Sequence, residues 1–475
     1  MNESFAISRR AFAHAFGAIF AIVFISFAVQ ARGLIGAQGI EPAADFLKAV
    51  QQSIGVAGWQ VPTIFWLNPS DTALLAVCWL GVVASLVLAS GFAPGPAALV
   101  CWALYLSLCS VGSVFLSFQW DTLILESALL AAIALPWRLR SDWSHEPPLQ
   151  RVGRWLLWWL VFRLNFESGV VKLTWGDKTW LELRALAVHF ETQCIPNPFA
   201  WYAHQMPAWL SRASCALMFA VELVIPFLIA FPHRIRHGAA LALIALQLGI
   251  IATGNFAYFN WLTIALCLPL FADSFFPARW RREHAAHSAP QWKWVTAGCV
   301  GLFVFVATLP GLLNAFRSDA ADLIARALMP LRSFNGYGLF RVMTTERPEI
   351  IVEGSRDGVN WDAYEFRYKA GDVYRRPPFV APHQPRLDWQ MWFAALADVR
   401  QTPWFVNFLT RLLQGSPDVL ALLEKNPFPG EPPRYVRAVL YDYRFTHWSD
   451  DTVAWWKREQ KALYCPPISL KTTPP

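Results

Sequence analysis

Long apolar runs separated by short polar links fill the first two thirds of the 475-residue chain. Nine runs can be counted, and three of them are shorter than about 17 residues, the lower limit for a helix that crosses a bilayer. They occupy residues 11–31, 72–91, 97–118, 121–135, 155–173, 213–231, 238–253, 258–271 and 294–313. The pattern predicts a polytopic α-helical membrane protein of about nine spans, with residues 1–313 as its membrane domain.

The pattern changes after residue 313, where we predict a linker over 314–331 and a small α+β domain over 332–475. Within 350–368, β-prone segments flank a glycine-containing turn, which is typical of a hairpin. Apolar residues recur at helical spacing in 387–415, and residues 432–446 alternate as a strand does.

Composition supports the membrane assignment, because the chain is 55% hydrophobic and only 15% charged, with a mean hydropathy of +0.34. A soluble domain carries about 25% charged residues. The net charge of +7 is spread among short links instead of forming one basic face. This distribution disfavours nucleic-acid binding, which needs clustered cations.

Basic residues are concentrated in alternate links between the apolar runs. They are Arg9, Arg10, Arg138, Arg140, Arg151, Arg154, Arg234, Arg236, Arg279, Arg281, Arg282 and Lys293. Cytoplasmic loops of membrane proteins are enriched in Lys and Arg. The amino terminus is therefore predicted to be cytoplasmic, and an odd number of spans places the carboxy-terminal domain on the other, extracytoplasmic side.

Six ionisable residues lie inside the apolar runs, where each must face a partner or a cavity. They are Asp121, Glu126, Arg163, Glu167, Lys172 and Glu222. Arg163 and Glu167 are four residues apart and can pair on one helix face. Glu126 is the predicted partner of Arg163 or Lys172, and Asp121 suits a helix N-cap.

Two interpretations of this polar cluster remain open. Its members form buried ion pairs that fix helix packing, or they line a polar cavity that binds a ligand or moves a proton. In the second case Lys172 is a candidate general base, with Glu167 and Arg163 as further catalytic candidates. No GxSxG, Walker A or HExxH signature is present, so we assign no catalytic residue and expect no cofactor.

The predicted outer loop at 174–212 contains His189, Glu191, Cys194 and His204, but their spacing matches no zinc motif, so no metal site is expected. Cys194 and Cys465 fall outside the apolar runs and, on the predicted topology, in an oxidising compartment. A disulfide between them would join the outer loop to the carboxy-terminal tail.

Several long strings resemble the lipase maturation factor family: residues 118–126, 163–180, 189–207, 254–268, 337–358, 375–396 and 441–446. The resemblance implies a membrane protein of the endoplasmic reticulum that helps dimeric secreted lipases, such as lipoprotein lipase, reach their active fold. It also implies a carboxy-terminal domain in the lumen that contacts the client. The short compact loops and alanine-rich spans would also suit a bacterial inner membrane, with the domain in the periplasm.

The resemblance leaves two functions in competition. In the first, the chain is a folding factor whose client face is the aromatic stretch 375–393, because buried aromatic side chains make strong anchors. The candidate client-binding residues are Phe379, His383, Arg386, Trp389 and Trp392. The alternative interpretation of this stretch is a protein core or a membrane-interface belt. In the second function, suggested by a distant similarity of the membrane part to vitamin K-dependent carboxylases, the chain is a membrane enzyme acting on a lipid or protein.

Overall fold

A bundle of α-helices forms the first two thirds of the computed structural model, which describes residues 3–54, 58–281, 289–316 and 326–470. The helices are α1 (Ala6–Ala28), α2 (Ala31–Ile35), α3 (Ala43–Ile54), α4 (Asp71–Ser90), α5 (Pro94–Val111), α6 (Gln119–Ala134), α7 (Pro148–Thr174), α8 (Lys178–Leu181), α9 (Ala185–Thr192), α10 (Pro198–His204), α11 (Ala208–Leu223), α12 (His233–Thr253), α13 (Phe259–Cys267) and α14 (Gln291–Ala315).

Six helices in the described part of the chain are long and apolar enough to cross a membrane. They are α1, α4, α5, α12, α14 and α11 with its 3-10 extension to Ala230. Helices α6, α7 and α13 pack among them, α6 lying between α5 and α7. The structure therefore confirms a polytopic helical membrane protein. The number of nine spans remains a prediction, because α6 and α13 are short and α7 contains several charged residues.

The helices alternate in direction, as contacts at one end of the bundle show. Ser4 at the start of α1 donates a hydrogen bond of 2.5 Å to Asp273, which follows α13. The guanidinium of Arg9 reaches the carbonyl oxygen of Ala134 at the end of α6, at 3.2 Å, and Arg236 at the start of α12 reaches Leu270 at 3.0 Å. We call this the proximal end and the opposite one the distal end.

The carboxy-terminal domain combines a four-stranded antiparallel sheet, in the order β2-β1-β5-β6, with three helices and a small second sheet, β3-β4. Its elements are β1 (Arg347–Ser355), β2 (Asp362–Ala363), β3 (Glu365–Phe366), α15 (Arg386–Ala395), α16 (Pro403–Leu413), α17 (Pro417–Leu420), β4 (Leu423–Lys425), β5 (Tyr435–Phe445) and β6 (Trp456–Ile468). The predicted hairpin, helical segment and late strand are confirmed. Helix α16 begins at a proline and is followed by Gly415 at φ +65°, a conformation that glycine adopts without strain.

The domain packs directly on the distal end of the bundle, and the two share one hydrophobic core. The ring centroids of Trp120 on α6 and Trp389 on α15 are 4.8 Å apart, and those of Phe115 and Trp404 are 5.7 Å apart. Half of the predicted linker, residues 317–325, lies outside the described residues, as does Arg282.

The predicted outer loop folds into α8, α9 and α10, which lie between the bundle and the domain. Phe190 and Ala200 from this loop form a second buried cluster with Tyr443, Phe445 and Trp456 of the sheet. The loop is therefore a structural layer that joins the two parts of the molecule.

Candidate functional site

Asp121, at the distal end of α6, forms an ion pair with Arg386 of the domain. Two guanidinium nitrogens of Arg386 lie 2.9 and 3.0 Å from the two carboxylate oxygens, and both side chains are fully buried. The hydroxyl groups of Tyr105 and Tyr258 donate to the same carboxylate at 2.5 and 2.7 Å. Arg386 also donates to the carbonyl oxygen of Phe115 at 2.5 Å. This arrangement, the Asp121 lock, fixes α15 to three helices of the bundle.

Asp121 is not the N-cap that the sequence predicted, because α6 begins at Gln119 and its N-cap is Phe118. Asp121 is the third residue of the helix, and one of its carboxylate oxygens accepts a hydrogen bond from the backbone N–H of Phe118 at 3.1 Å. The same side chain therefore binds both the start of α6 and Arg386. The sequence placed Asp121 near the start of the helix but did not indicate its partner Arg386, which is 265 residues away along the chain.

Glu126, five residues further along α6, pairs with Arg163 of α7. Its other carboxylate oxygen accepts hydrogen bonds from the backbone N–H of Asn335, at 3.2 Å, and from the hydroxyl of Tyr337, at 2.7 Å. Arg163 in turn donates to the carbonyl oxygen of Asn335 at 2.7 Å. We call this group the Glu126 lock, because it fixes the segment that leads from α14 into the domain.

Glu167 belongs to the same lock and not to a pair with Arg163. Its carboxylate accepts the backbone N–H of Tyr337 at 2.5 Å, whereas Arg163 takes Glu126 as its ion-pair partner. The predicted Arg163–Glu167 pair is therefore wrong, while the predicted Arg163–Glu126 partnership is present. Arg163 and Glu167 lie on the same helix face, but both bind the backbone of the 335–337 segment, and Arg163 pairs with Glu126.

Lys172 and Glu222 form a third buried ion pair, between α7 and α11, with nitrogen–oxygen distances of 2.6 and 2.7 Å. Both residues line a cavity of about 630 Å³. Its wall also contains His189 and Phe340 from the distal side. Of the three catalytic candidates Arg163, Glu167 and Lys172, the lining includes Lys172 alone.

A fourth buried charge cluster, which sequence reasoning missed, fixes the outer loop to the sheet. Arg347 on β1 donates to the backbone carbonyl oxygens of Glu191, at 2.8 Å, and of Cys194, at 3.0 Å, and pairs with Glu349 at 2.7 Å. Glu349 also binds Lys369 at 2.9 Å. The one sequence signal is that Arg347 and Glu349 are two residues apart on a strand and so share a face.

The structure corrects most of the predicted client face. Arg386, Trp389 and Trp392 are 1%, 3% and 8% exposed, because α15 packs between the bundle and the outer loop. The indole of Trp392 donates to the carbonyl oxygen of Thr192 at 3.1 Å. These three side chains lie buried in the domain interface instead of on an exposed face. Phe379 differs, being 61% exposed.

The predicted Cys194–Cys465 disulfide is wrong, since both residues are buried free thiols. Cys194 lies 3.9 Å from the carbonyl oxygen of Trp389, on the bundle side of the domain. Cys465 lies on β6, opposite Ala438 of β5. The outer loop is held by Arg347 instead.

His383 connects the domain to α1, and its surroundings predict that the stability of the folded protein depends on pH. Its Nδ1 is 2.9 Å from the hydroxyl oxygen of Ser26, and burial lowers its pKa from 6.5 to about 4, helped by the charges of Arg386 and Arg367. Between those pH values the unfolded chain binds a proton that the folded chain does not. The stability contribution is therefore complete above pH 6.5 and is lost as the pH falls toward 4.

We expect the free energy of unfolding of the detergent-solubilised protein to decrease as the pH falls over this range, and to decrease more in the wild type than in His383→Asn. The difference should be on the order of 1–2 kcal/mol, because one pKa unit corresponds to about 1.4 kcal/mol and partial exposure reduces the effect. Thermal unfolding of both proteins at pH 4.5 and 7.5 measures it. Equal pH dependence in the two proteins would contradict the assignment.

Four exposed aromatic side chains form a continuous surface at the distal end, which we call the aromatic ridge: Phe379, Phe199, Tyr202 and Trp448. The ring centroids of Phe199 and Phe379 are 5.7 Å apart, and those of Tyr202 and Trp448 are 5.5 Å apart. Phe199 and Tyr202 are three residues apart on α10, which places them on one helix face. The ridge thus joins the outer loop to the carboxy-terminal domain.

Comparison with known proteins identifies the family. The family model of the lipase maturation factor transmembrane domain matches residues 7–278, and that of the lipase maturation factor C-terminal domain matches residues 333–466. The chain is 35% identical to Lipase maturation factor 2 of Gallus gallus, over 97% of this chain and 81% of that protein. It is 33% identical to Lipase maturation factor 2 of Homo sapiens (98% and 83%) and 34% identical to Lipase maturation factor 1 of Mus musculus (95% and 85%).

No solved protein structure matches the chain. The two family models together cover both the helical bundle and the domain that packs on it, and the relatives align over nearly the whole sequence. The chain therefore belongs to the lipase maturation factor family.

Proposed function

We propose that this protein assists the folding and assembly of secreted lipases by binding the immature client on the aromatic ridge. Its relatives are named lipase maturation factors. The observation that carries the proposal is the exposure of the ridge: Phe379, Phe199, Tyr202 and Trp448 are 61%, 54%, 47% and 66% exposed. Large aromatic side chains supply much of the binding energy at protein interfaces.

The buried charges support a model in which the bundle holds the aromatic ridge in a fixed position. The Asp121 lock, the Glu126 lock and the Arg347 cluster all connect the domain or the outer loop to another part of the chain. The ridge is built from both of these parts, so its shape depends on these contacts. The exposed aromatics are then presented on a rigid support, which reduces the entropy lost when a client binds.

We further propose that the distal end faces away from the cytoplasm, in the lumen of the endoplasmic reticulum or in a periplasm. Arg9, Arg154 and Arg236 lie at the proximal end, and Lys and Arg are enriched on the cytoplasmic side of membranes. The domain with its ridge lies at the opposite end.

Cysteine labelling tests this topology. In bacterial spheroplasts that express the protein, a membrane-impermeant thiol reagent should label Val453→Cys without permeabilisation, because Val453 is 87% exposed at the distal end. Trp292→Cys, exposed near the start of α14, should react only after permeabilisation. The reverse order of labelling would invert the topology and contradict the proposal.

A combined substitution of the ridge tests the function. With Phe199, Tyr202, Phe379 and Trp448 all changed to serine, secretion of active lipase from cells that depend on this protein should fall at least about tenfold, because hot-spot residues contribute about 2 kcal/mol or more each. Lipase activity in the medium is measured at matched levels of the maturation factor.

A matched control removes equally exposed aromatics from the other end. Trp280→Ser with Trp292→Ser, 54% and 64% exposed near the proximal end, should leave secretion unchanged. Unchanged secretion after ridge substitution would exclude the ridge as the client face. The enzyme alternative is favoured instead if Lys172→Ala accumulates normally, keeps the ridge accessible and abolishes secretion, since Lys172 faces the cavity.

A further inference from the structure

The cavity beside Lys172 is open toward the side of the bundle. It lies between α7, α11 and α12, with residues of α9 and α13 completing its lining, and has a volume of about 630 Å³. This is within the ~300–1,000 Å³ range of ligand pockets. Leu217 on α11 and Gly249 on α12 line it and are also exposed on the outer surface of the bundle. The opening therefore faces the region that lipid chains occupy around a spanning helix.

The cavity wall is mostly apolar, and its charges are compensated. Lys172 and Glu222 neutralise one another at 2.6 Å, and Asn260 donates to Gln247 at 2.7 Å. A charged head group would have to separate the Lys172–Glu222 pair in a setting of low dielectric constant, which is costly. An uncharged ligand with a long apolar part meets no such cost.

His189, on α9, provides the unused polar group. Its Nδ1 is buried and has no hydrogen-bond partner among the described residues, and the ring lines the cavity. The ring lies parallel to that of Phe256, with centroids 6.1 Å apart and an interplanar angle of 8°. Burial lowers the pKa of His189 to about 4, so the ring is neutral and offers one donor and one acceptor.

We propose that this cavity binds an uncharged single-chain lipid with a hydroxyl-bearing head group, of the monoacylglycerol type. The acyl chain enters between α11 and α12, and the head group forms hydrogen bonds with His189. This binding site goes beyond lipase maturation and does not depend on the aromatic ridge, so either proposal can fail without the other.

The test is photo-crosslinking of the full-length protein in membranes, with a monoacylglycerol that carries a diazirine in its acyl chain. Labelled peptides should map to residues 214–221 and 242–250, and excess monooleoylglycerol should compete with the label while oleate should not. Lipid contact at the outer surface alone would label many exposed helix faces and would not be competed.

Two glycines on α12 supply a matched pair of variants. A Cβ added at Gly249 or at Gly238 meets no atom within 4 Å, and both residues are exposed, but Gly249 lines the cavity and Gly238 lies about three turns away. Gly249→Phe should reduce the competed labelling at least about tenfold, the effect of about 1.4 kcal/mol of binding energy. Gly238→Phe should leave it unchanged.

His189→Leu keeps the ring's volume approximately but removes both nitrogens, and it should weaken competition by monooleoylglycerol. This variant and the wild-type competition decide the result if Gly249→Phe does not fold, as judged by gel filtration. The proposal is overturned if wild-type labelling is not competed. It is equally overturned if oleate competes as well as monooleoylglycerol, or if Gly249→Phe folds and binds normally.

Discussion

Replacing Arg386 with leucine is expected to lower the free energy of unfolding by about 3–5 kcal/mol, because it leaves Asp121 as an uncompensated charge in a buried site. Asp121 is fully buried, and its two tyrosine partners cannot neutralise it. The domain should detach from the distal end of the bundle before the bundle itself unfolds. Tryptophan fluorescence during thermal unfolding in detergent micelles, together with limited proteolysis of the domain, measures both effects.

A double substitution separates the unpaired charge from the lost packing. Asp121→Asn removes the charge but can still accept hydrogen bonds from Tyr105 and Tyr258. Arg386→Leu with Asp121→Asn should therefore be more stable than Arg386→Leu alone, a coupling that a double-mutant cycle quantifies. Additive effects of the two substitutions would show that the pair does not hold the domain.

The second large effect is expected for Arg347→Met, also about 3–5 kcal/mol. The substitution removes the donors for the carbonyl oxygens of Glu191 and Cys194, and a buried carbonyl without a partner costs about 1–3 kcal/mol. The outer loop should lose its attachment to the sheet. Thermal unfolding reports the destabilisation, and hydrogen exchange should increase over residues 185–205.

Arg437 is the matched control for this prediction, because it pairs with Glu353 on the same sheet at 2.7 Å but is 30% exposed. Arg437→Met should cost no more than about 1 kcal/mol, since exposed ion pairs contribute little. If both arginine variants lose the same stability, the contact with the outer loop has no special role.

Much of the fold follows from periodicity, because each apolar run and each strand signal depends on neighbouring residues. The runs around residues 72–91 and 97–118 became α4 and α5, and the glycine turn after β1 became a hairpin. The two ends of the bundle followed from the alternation of basic links. These features are local, or are repeated often enough that one ambiguous segment does not alter the result.

The partners of the buried charges could not be predicted in the same way, because they come from distant parts of the chain. Asp121 and Arg386 are 265 residues apart, and no spacing rule connects them. Tyr105, Tyr258 and Tyr337 looked like ordinary aromatic residues of apolar runs or of the domain, although each supplies a buried hydroxyl.

The client face was misassigned for a related reason. Trp389 and Trp392 have the helical spacing of one buried face, and this spacing is the same whether the face meets a client or another part of the chain. The bundle already provides that partner, since Trp389 packs against Trp120. Phe379 is exposed because it lies outside α15, in an extended segment where it contacts Phe199 at the surface.

The order of the locks along the chain has a consequence for biogenesis. Chains are synthesised from the amino terminus, so Asp121 and Glu126 enter the membrane long before Asn335, Tyr337 and Arg386 leave the ribosome. Until then α6 carries an acid at its distal end that has no cationic partner. A nascent or truncated chain that lacks Arg386 therefore displays an unneutralised carboxylate within its bundle, whereas a complete chain hides it. An unfinished copy of this protein therefore differs from a finished one by a buried, uncompensated negative charge.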